Sequence, residues 1–187
     1  QNDRVADVTF SGDPLTSEDY AKMGMPEPPE TEVTEDALLQ FNKPEVRDVP
    51  IPGGGGITNA TSLALFYQAL MHARSTAIDG PAVWKDETLS MVKEIRSGDL
   101  TDMLFKKKAN RSLGLIISGD KDRNFRGFGH PNSPEAFGHA GAGGQIAWAD
   151  PETGISFAYV TNGHDRNGMR QGRRGISISN AAAVCAL

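Results

Sequence analysis

One cysteine, Cys185, is all that the chain carries. An internal disulfide framework and a thiolate metal cluster are therefore excluded, and cysteine usage leaves the compartment open. Long apolar runs are also missing, and nothing approaches the roughly 20 residues that a membrane span requires. An excess of positive charge is missing too. Lys and Arg number 19 against 24 Asp and Glu, for a net charge of -5. With no sustained basic face, this argues against nucleic acid or an anionic membrane as the main partner. The clusters Lys106-Lys107-Lys108 and Arg170 to Arg174 are short and read as solvated surface. The first residues, Gln1-Asn2-Asp3-Arg4, have neither Met nor a secretion-signal profile and read as the interior of something longer.

What is present fits one compact domain with a real core: 187 residues, 38% of them hydrophobic. Residues 1–56 are acidic and loop-rich, punctuated by Pro14, Pro26, Pro28, Pro29, Pro44, Pro50 and Pro52, and they end in Gly53-Gly54-Gly55-Gly56. A loop of that length either covers a site or another part of the molecule, or is a disordered linker. Thr61 to Met71 places Leu63, Phe66, Ala69 and Leu70 on one helical face, with Asn59 or Thr61 available to cap the first amides. Asp86 to Ile95 repeats that period through Leu89, Val92 and Ile95, and Ser112 to Ser118 reads as a strand. Further strands are expected at Phe125–Gly129, Gln145–Ala149 and Ile155–Asn162. The last two are joined by Asp150-Pro151-Glu152-Thr153-Gly154, whose Pro and Gly suit a short antiparallel connection. A closing helix is expected from about Ile176 through Ala183 to Leu187.

The unusual stretch is Gly138 to Gly144, where four glycines surround His139 immediately before that hairpin. A dinucleotide loop fails at Ile146, where its third glycine should stand, and a strand follows where such a loop would open a helix. A metal site from His130, His139, His164 and Asp165 lacks helical ligand spacing. No metal and no cofactor is expected. Two readings remain: a glycine-rich start to a strand with no chemistry, or an edge that something approaches closely enough for a backbone amide to face a reacting carbonyl.

Phe137-Gly138-His139-Ala140-Gly141-Ala142-Gly143-Gly144, the Ala149 to Gly154 turn and Phe157 to Asn162 together resemble the third motif and closing hairpin of the serine β-lactamase and penicillin-binding-protein superfamily. The nearest branch is the class C-like one that includes family VIII carboxylesterases. Ile51 to Ile57 with the Thr61 to Met71 helix resembles the glycine-rich approach that precedes this region, so the likeness spans about residues 50 to 165. It implies an α/β (α+β) fold, a transpeptidase-like antiparallel sheet flanked by helices. Residues 1–187 would then be the carboxy-terminal part of one such domain, with residues 1–56 packing over the site or a partner segment. The third motif falls on His139, Ala140 and Gly141, and the resemblance implies that the backbone amide of Ala142 is one of two oxyanion donors. The resemblance further implies that Gly141 leaves space beside the acyl group and that Ala140 and Gly143 border the substrate.

The family's nucleophile lies in a Ser-x-x-Lys motif at a helix start, followed later by Tyr-x-Asn. Ser90-Met91-Val92-Lys93 fits the first pattern literally but falls out of order relative to the third motif, and it is read as a chance match. Tyr159-Val160-Thr161-Asn162 has one residue too many and belongs to the last strand. The expectation is therefore half of a cleft, with the nucleophile on an amino-terminal segment of the same protein, either continuous with this one or a separate chain. The substrate would be a small ester or β-lactam, with an ester preferred because His139 replaces a permanently cationic lysine. The alternative is a catalytically silent module that keeps the cleft without the nucleophile.

Overall fold

A computed structural model describes residues 2–72 and 84–186. In chain order the helices are α1 (Ser17–Lys22), α2 (Glu35–Leu39), α3 (Pro44–Arg47), α4 (Ala60–His72), α5 (Asp86–Lys93) and α6 (Gly168–Ala183). The strands are β1 (Thr9–Ser11), β2 (Thr101–Asp102), β3 (Lys107–Lys108), β4 (Ile116–Ile117), β5 (Phe137–Ala140), β6 (Ile146–Asp150), β7 (Ile155–Tyr159) and β8 (Gly163–Asp165). Among the described residues no helix is long and apolar enough to cross a membrane.

The centre is an antiparallel sheet in the order β4-β5-β6-β7. Side chains alternate across it, so Phe137, Ala147 and Ala149 meet Tyr67, Leu70 and Met71 of α4 and Leu89 of α5. Ile116, Ile146 and Trp148 meet Phe128 and Ala183 on the opposite face, the α6 side. Trp148 is 1% exposed and its Nε1 donates to Ser179 Oγ at 3.1 Å. Burying a large apolar side chain contributes about 1.5–3 kcal/mol, and the indole N–H needs such a partner once it leaves water.

The expected β6–β7 hairpin and both expected helices before residue 96 are present. Asn59 Oδ1 caps α4 by accepting from Ser62 N at 2.9 Å. The buried stripe of α4, however, is Leu63, Tyr67, Leu70 and Met71, while Phe66 is 46% exposed and meets Tyr67 and Trp84 edge-on. Ile95 lies beyond the end of α5.

Three other expectations are corrected. Ser112 to Leu115 is a turn rather than strand, closed by Ser112 N donating to Leu115 O at 2.9 Å with Gly114 at φ 81°, and only Ile116–Ile117 pairs with β5. The strand expected over Phe125–Gly129 is absent. Arg123–Arg126 winds as a 3-10 turn that Gly127 ends at φ 93°. The Arg126 guanidinium draws that turn inward, donating to Ser118 O and Lys108 O at 2.7 and 2.9 Å. The closing helix begins at Gly168, eight residues before Ile176, because Asn167 Oδ1 caps it by accepting from Arg170 N at 3.0 Å. At its other end α6 stops at Ala183 and a 3-10 turn over Val184–Ala186 follows, short of the expected end at Leu187, which itself lies outside the described residues.

The first 56 residues contain the three short helices α1–α3 as well as loop, and they are clipped to the rest of the chain. β1 runs parallel to β8, pairing Phe10 with His164. Arg166 pairs with Glu35 at 2.6 Å, and Asn162 Nδ2 donates to Asp7 O at 2.8 Å.

Candidate active-site edge

β4 reaches only as far as Phe137 and Gly138 before the Ser112 to Leu115 turn leads away. From His139 onward, the side of β5 opposite β6 has no strand partner among the described residues. Gly138 permits the close approach of β5 to β6, because any Cβ there would strike the Ala147 carbonyl and the Trp148 backbone. His139 lies opposite Ala147 and Ala140 opposite Ile146, which puts the imidazole on the α4 face.

The chain then reverses. Gly141 N donates to Gln145 O at 2.7 Å and Gly144 N to Gly141 O at 3.1 Å, with Gly144 at φ 85°. Within this turn the Ala142 carbonyl accepts from Gln171 Nε2 at 2.8 Å, whereas the Ala142 N–H has no hydrogen-bond partner among the described residues. Ala142 lines a cavity of about 290 Å³ together with Phe10, Val33, Leu38, His164 and Gln171.

The motif residues His139, Ala140 and Gly141 are exposed, and none of them lines that cavity. His139 Nδ1 lies 2.7 Å from Ala140 O. A carbonyl only accepts, so Nδ1 is the donor in this contact. Gly143 turns inward and is buried against His164, whose ring stands where a side chain at residue 143 would go.

His164, expected only as a metal candidate, and Arg174, expected as solvated surface, both belong to the foundations of this turn. His164 is 4% exposed, packs edge-on against Phe10 with ring centroids 5.0 Å apart, and has its Nε2 3.3 Å from Gln145 Nε2. Burial, and secondarily the Arg174 cation, hold its pKa below the usual 6.5. Arg174 lies over the Tyr159 ring at 5.9 Å with Nε and Nη2 buried and unpaired among the described residues. Arg170 pairs with Asp165 at 2.7 Å, and that hydrogen bond is the main cause holding the Asp165 carboxyl at about 2. The only sequence signal for His164 was its place just after the closing hairpin, because its partners Gly143 and Phe10 are remote along the chain.

Ser90 is exposed on α5 and lines neither this cavity nor a second one of about 550 Å³ bordered by Lys93, Glu135 and Ile117. Lys93 Nζ instead sits 5.5 Å over the Phe137 ring. Among the described residues no group of three or more His, Cys, Asp and Glu could hold a metal ion.

A family model described as "Beta-lactamase" matches residues 4–179. The chain belongs to the beta-lactamase family. It is 34% identical over 126 residues to a Mycobacterium tuberculosis protein named esterase/beta-lactamase LipL, an alignment that covers 67% of this chain and 26% of that protein. A penicillin-binding-protein homologue from Caulobacter crescentus superposes with a TM-score of 0.64 at 27% identity, covering 99% of this chain and 46% of the other. EstA from Arthrobacter nitroguajacolicus Rue61a shares the fold with a TM-score of 0.59 at 20% identity, over 97% of this chain and 47% of its own. The chain thus spans about a quarter of the curated relative and under half of these solved structures. For the beta-lactamase family the sheet flanked by helices is the anticipated architecture, and the resemblance seen over about residues 50 to 165 extends to residues 4–179.

Proposed function

We propose that this chain supplies the oxyanion wall of an ester-cleaving serine hydrolase, with the nucleophile carried by an amino-terminal segment of the same protein. The observation that carries the reading is the Ala142 amide, which has no protein partner among the described residues and belongs to a residue that lines a cavity at the end of an open strand edge. A donor held ready in this way is worth about 2.7–4 kcal/mol when negative charge develops on a carbonyl oxygen. In the proposed reaction a serine hydroxyl adds to the ester carbonyl, whose oxygen becomes the anion facing Ala142 N. The tetrahedral centre then collapses, the acyl–oxygen bond breaks, and the alcohol leaves with the proton the serine gave up. Water repeats the sequence and releases the acid. The His139 imidazole is the proposed group for orienting the substrate or passing that proton.

Two further features support an amino-terminal partner segment. β7 is the outer strand of its sheet and pairs only with β6 among the described residues, and Phe66 of α4 stands exposed. An ester is preferred over a β-lactam because the motif presents an imidazole where a lysine would offer a permanent cation to a carboxylate.

The test is His139→Ala in the full-length protein with p-nitrophenyl butyrate. The reading predicts a fall in kcat of about 100-fold with little change in thermal midpoint. Unchanged turnover would remove His139 from the reaction, and no turnover by the wild-type protein would favour a silent binding module.

A further inference from the structure

We propose that His164, as a neutral imidazole wedged beneath Gly143, is a positioning residue that holds the Gly141–Gln145 turn and through it the Ala142 amide. The proposal deepens the hydrolase reading and rests on it only for the consequence to turnover.

The turn is fixed from three sides. Its own hydrogen bonds close it, from Gly141 N to Gln145 O and from Gly144 N to Gly141 O. Gln171 straps it from α6, donating to Ala142 O at 2.8 Å while its Oε1 accepts from Asp165 N at 3.2 Å. His164 supplies the floor, since its ring fills the space beside the Gly143 α-carbon. The floor is itself held by β1, through the pairing of Phe10 with His164 and the contact between their rings.

Hydrogen bonding sets the protonation state that this floor tolerates. Gln145 Nε2 donates to Thr161 O at 2.9 Å, and its other hydrogen faces His164 Nε2 at 3.3 Å. Nε2 is therefore the acceptor, and the single ring proton sits on Nδ1, which is buried without a partner among the described residues. A second proton would set an N–H against the Gln145 amide donor. It would also place a cation beside Arg174 of α6, whose Nε and Nη2 already lack partners among the described residues. The nearby carboxylates are taken: Asp165 by Arg170 at 2.7 Å and Glu35 of α2 by Arg166 at 2.6 Å. Asp13 acts on those same two arginines. Among the described residues no unpaired carboxylate stands beside the ring to neutralise an imidazolium, so protonation drives the ring from its seat and the turn loses its floor.

The experiment is an NMR titration of the isotopically labelled full-length protein from pH 8 to 5, reading the His164 Cε1–H shift and the exchange protection of the Gly141 and Gly144 amides, corrected for the intrinsic pH dependence of exchange. The expected result is a His164 midpoint below the usual 6.5, with protection of both amides falling about tenfold across the same transition. Protection that ignores the His164 transition overturns the proposal. His164→Gln stays uncharged and should keep protection flat over the range, so a variant that still loses protection at the wild-type midpoint also overturns it. The wild-type titration needs no substitution and decides the matter even where the variant fails to fold. In the full-length protein kcat for p-nitrophenyl butyrate should fall with the same midpoint at constant KM. Absence of turnover there counts against the hydrolase reading and leaves the exchange result to judge the positioning role.

Discussion

The His164 ring and the Gly143 α-carbon are matched surfaces, with the imidazole occupying the space that a methyl group at residue 143 would need. Gly143→Ala should therefore destabilise the protein by about 1–3 kcal/mol through overpacking. The double variant Gly143→Ala with His164→Ala should recover part of that loss, because the second change makes room for the first. Urea unfolding of the four proteins in a double-mutant cycle measures the coupling, and strictly additive values would show that the two residues do not contend for the same space.

Asp150 ends β6 at 1% exposure, and its carboxylate accepts from Ser133 Oγ at 2.6 Å, Ser133 N at 2.8 Å and Asn132 Nδ2 at 3.2 Å. Burial pushes the carboxyl pKa up, and these hydrogen bonds, with one from Glu152 N, outweigh it and leave the pKa below 3.8. A carboxyl whose folded pKa lies below its unfolded one stabilises the fold above the unfolded value, and that contribution disappears as pH falls through the folded one. Asp150→Asn should cost about 2–3 kcal/mol at pH 7, since an amide nitrogen would face two donors. The gap between the two proteins should begin to narrow below about pH 3.8 and close as pH falls through the lower, folded value. Chemical denaturation at pH 7 and pH 3 checks both statements.

Arg126 is buried and joins three segments, donating to Ser118 O, Lys108 O and Asp120 Oδ1 at 2.7, 2.9 and 2.5 Å. Arg126→Lys keeps the charge but lacks the planar fork, so it leaves carbonyls unsatisfied and should cost about 1–3 kcal/mol. A midpoint equal to wild type in thermal unfolding would contradict that reading.

Ser90→Ala should leave ester turnover in the full-length protein unchanged, because Ser90 is exposed on α5 and its motif partner Lys93 sits over the Phe137 ring. Labelling with a fluorophosphonate probe followed by peptide mapping gives an independent check. Modification at Ser90 would make it the nucleophile and overturn its reading as a chance match.

The parts of the fold that could be read from the sequence are those fixed by neighbours in the chain. Asp150 to Gly154 announces the β6–β7 turn, and the spacing of Leu63 and Leu70 announces α4. The start of α6 was hidden because Gly168, Gly172 and Gly175 are poor helix formers, although Asn167 stood in view as its cap. The 3-10 turn at Arg123–Arg126 depends on carbonyls of Lys108 and Ser118, which no local pattern reveals. Site legibility divides along the same line. His139 to Ala142 stand together in sequence and on one open strand end. His164 acquires its meaning only when β8 pairs with β1, bringing Phe10 across more than 150 positions to meet it.

The central claim is that the Ala142 amide receives the oxygen of a reacting carbonyl. The most direct measurement is a crystal structure of the full-length protein inactivated by p-nitrophenyl butylphosphonate, a tetrahedral mimic of the addition step. The account predicts a phosphonyl oxygen about 2.7–3.1 Å from Ala142 N. A phosphonyl oxygen held by other donors, with the Ala142 N–H left facing solvent, would contradict it.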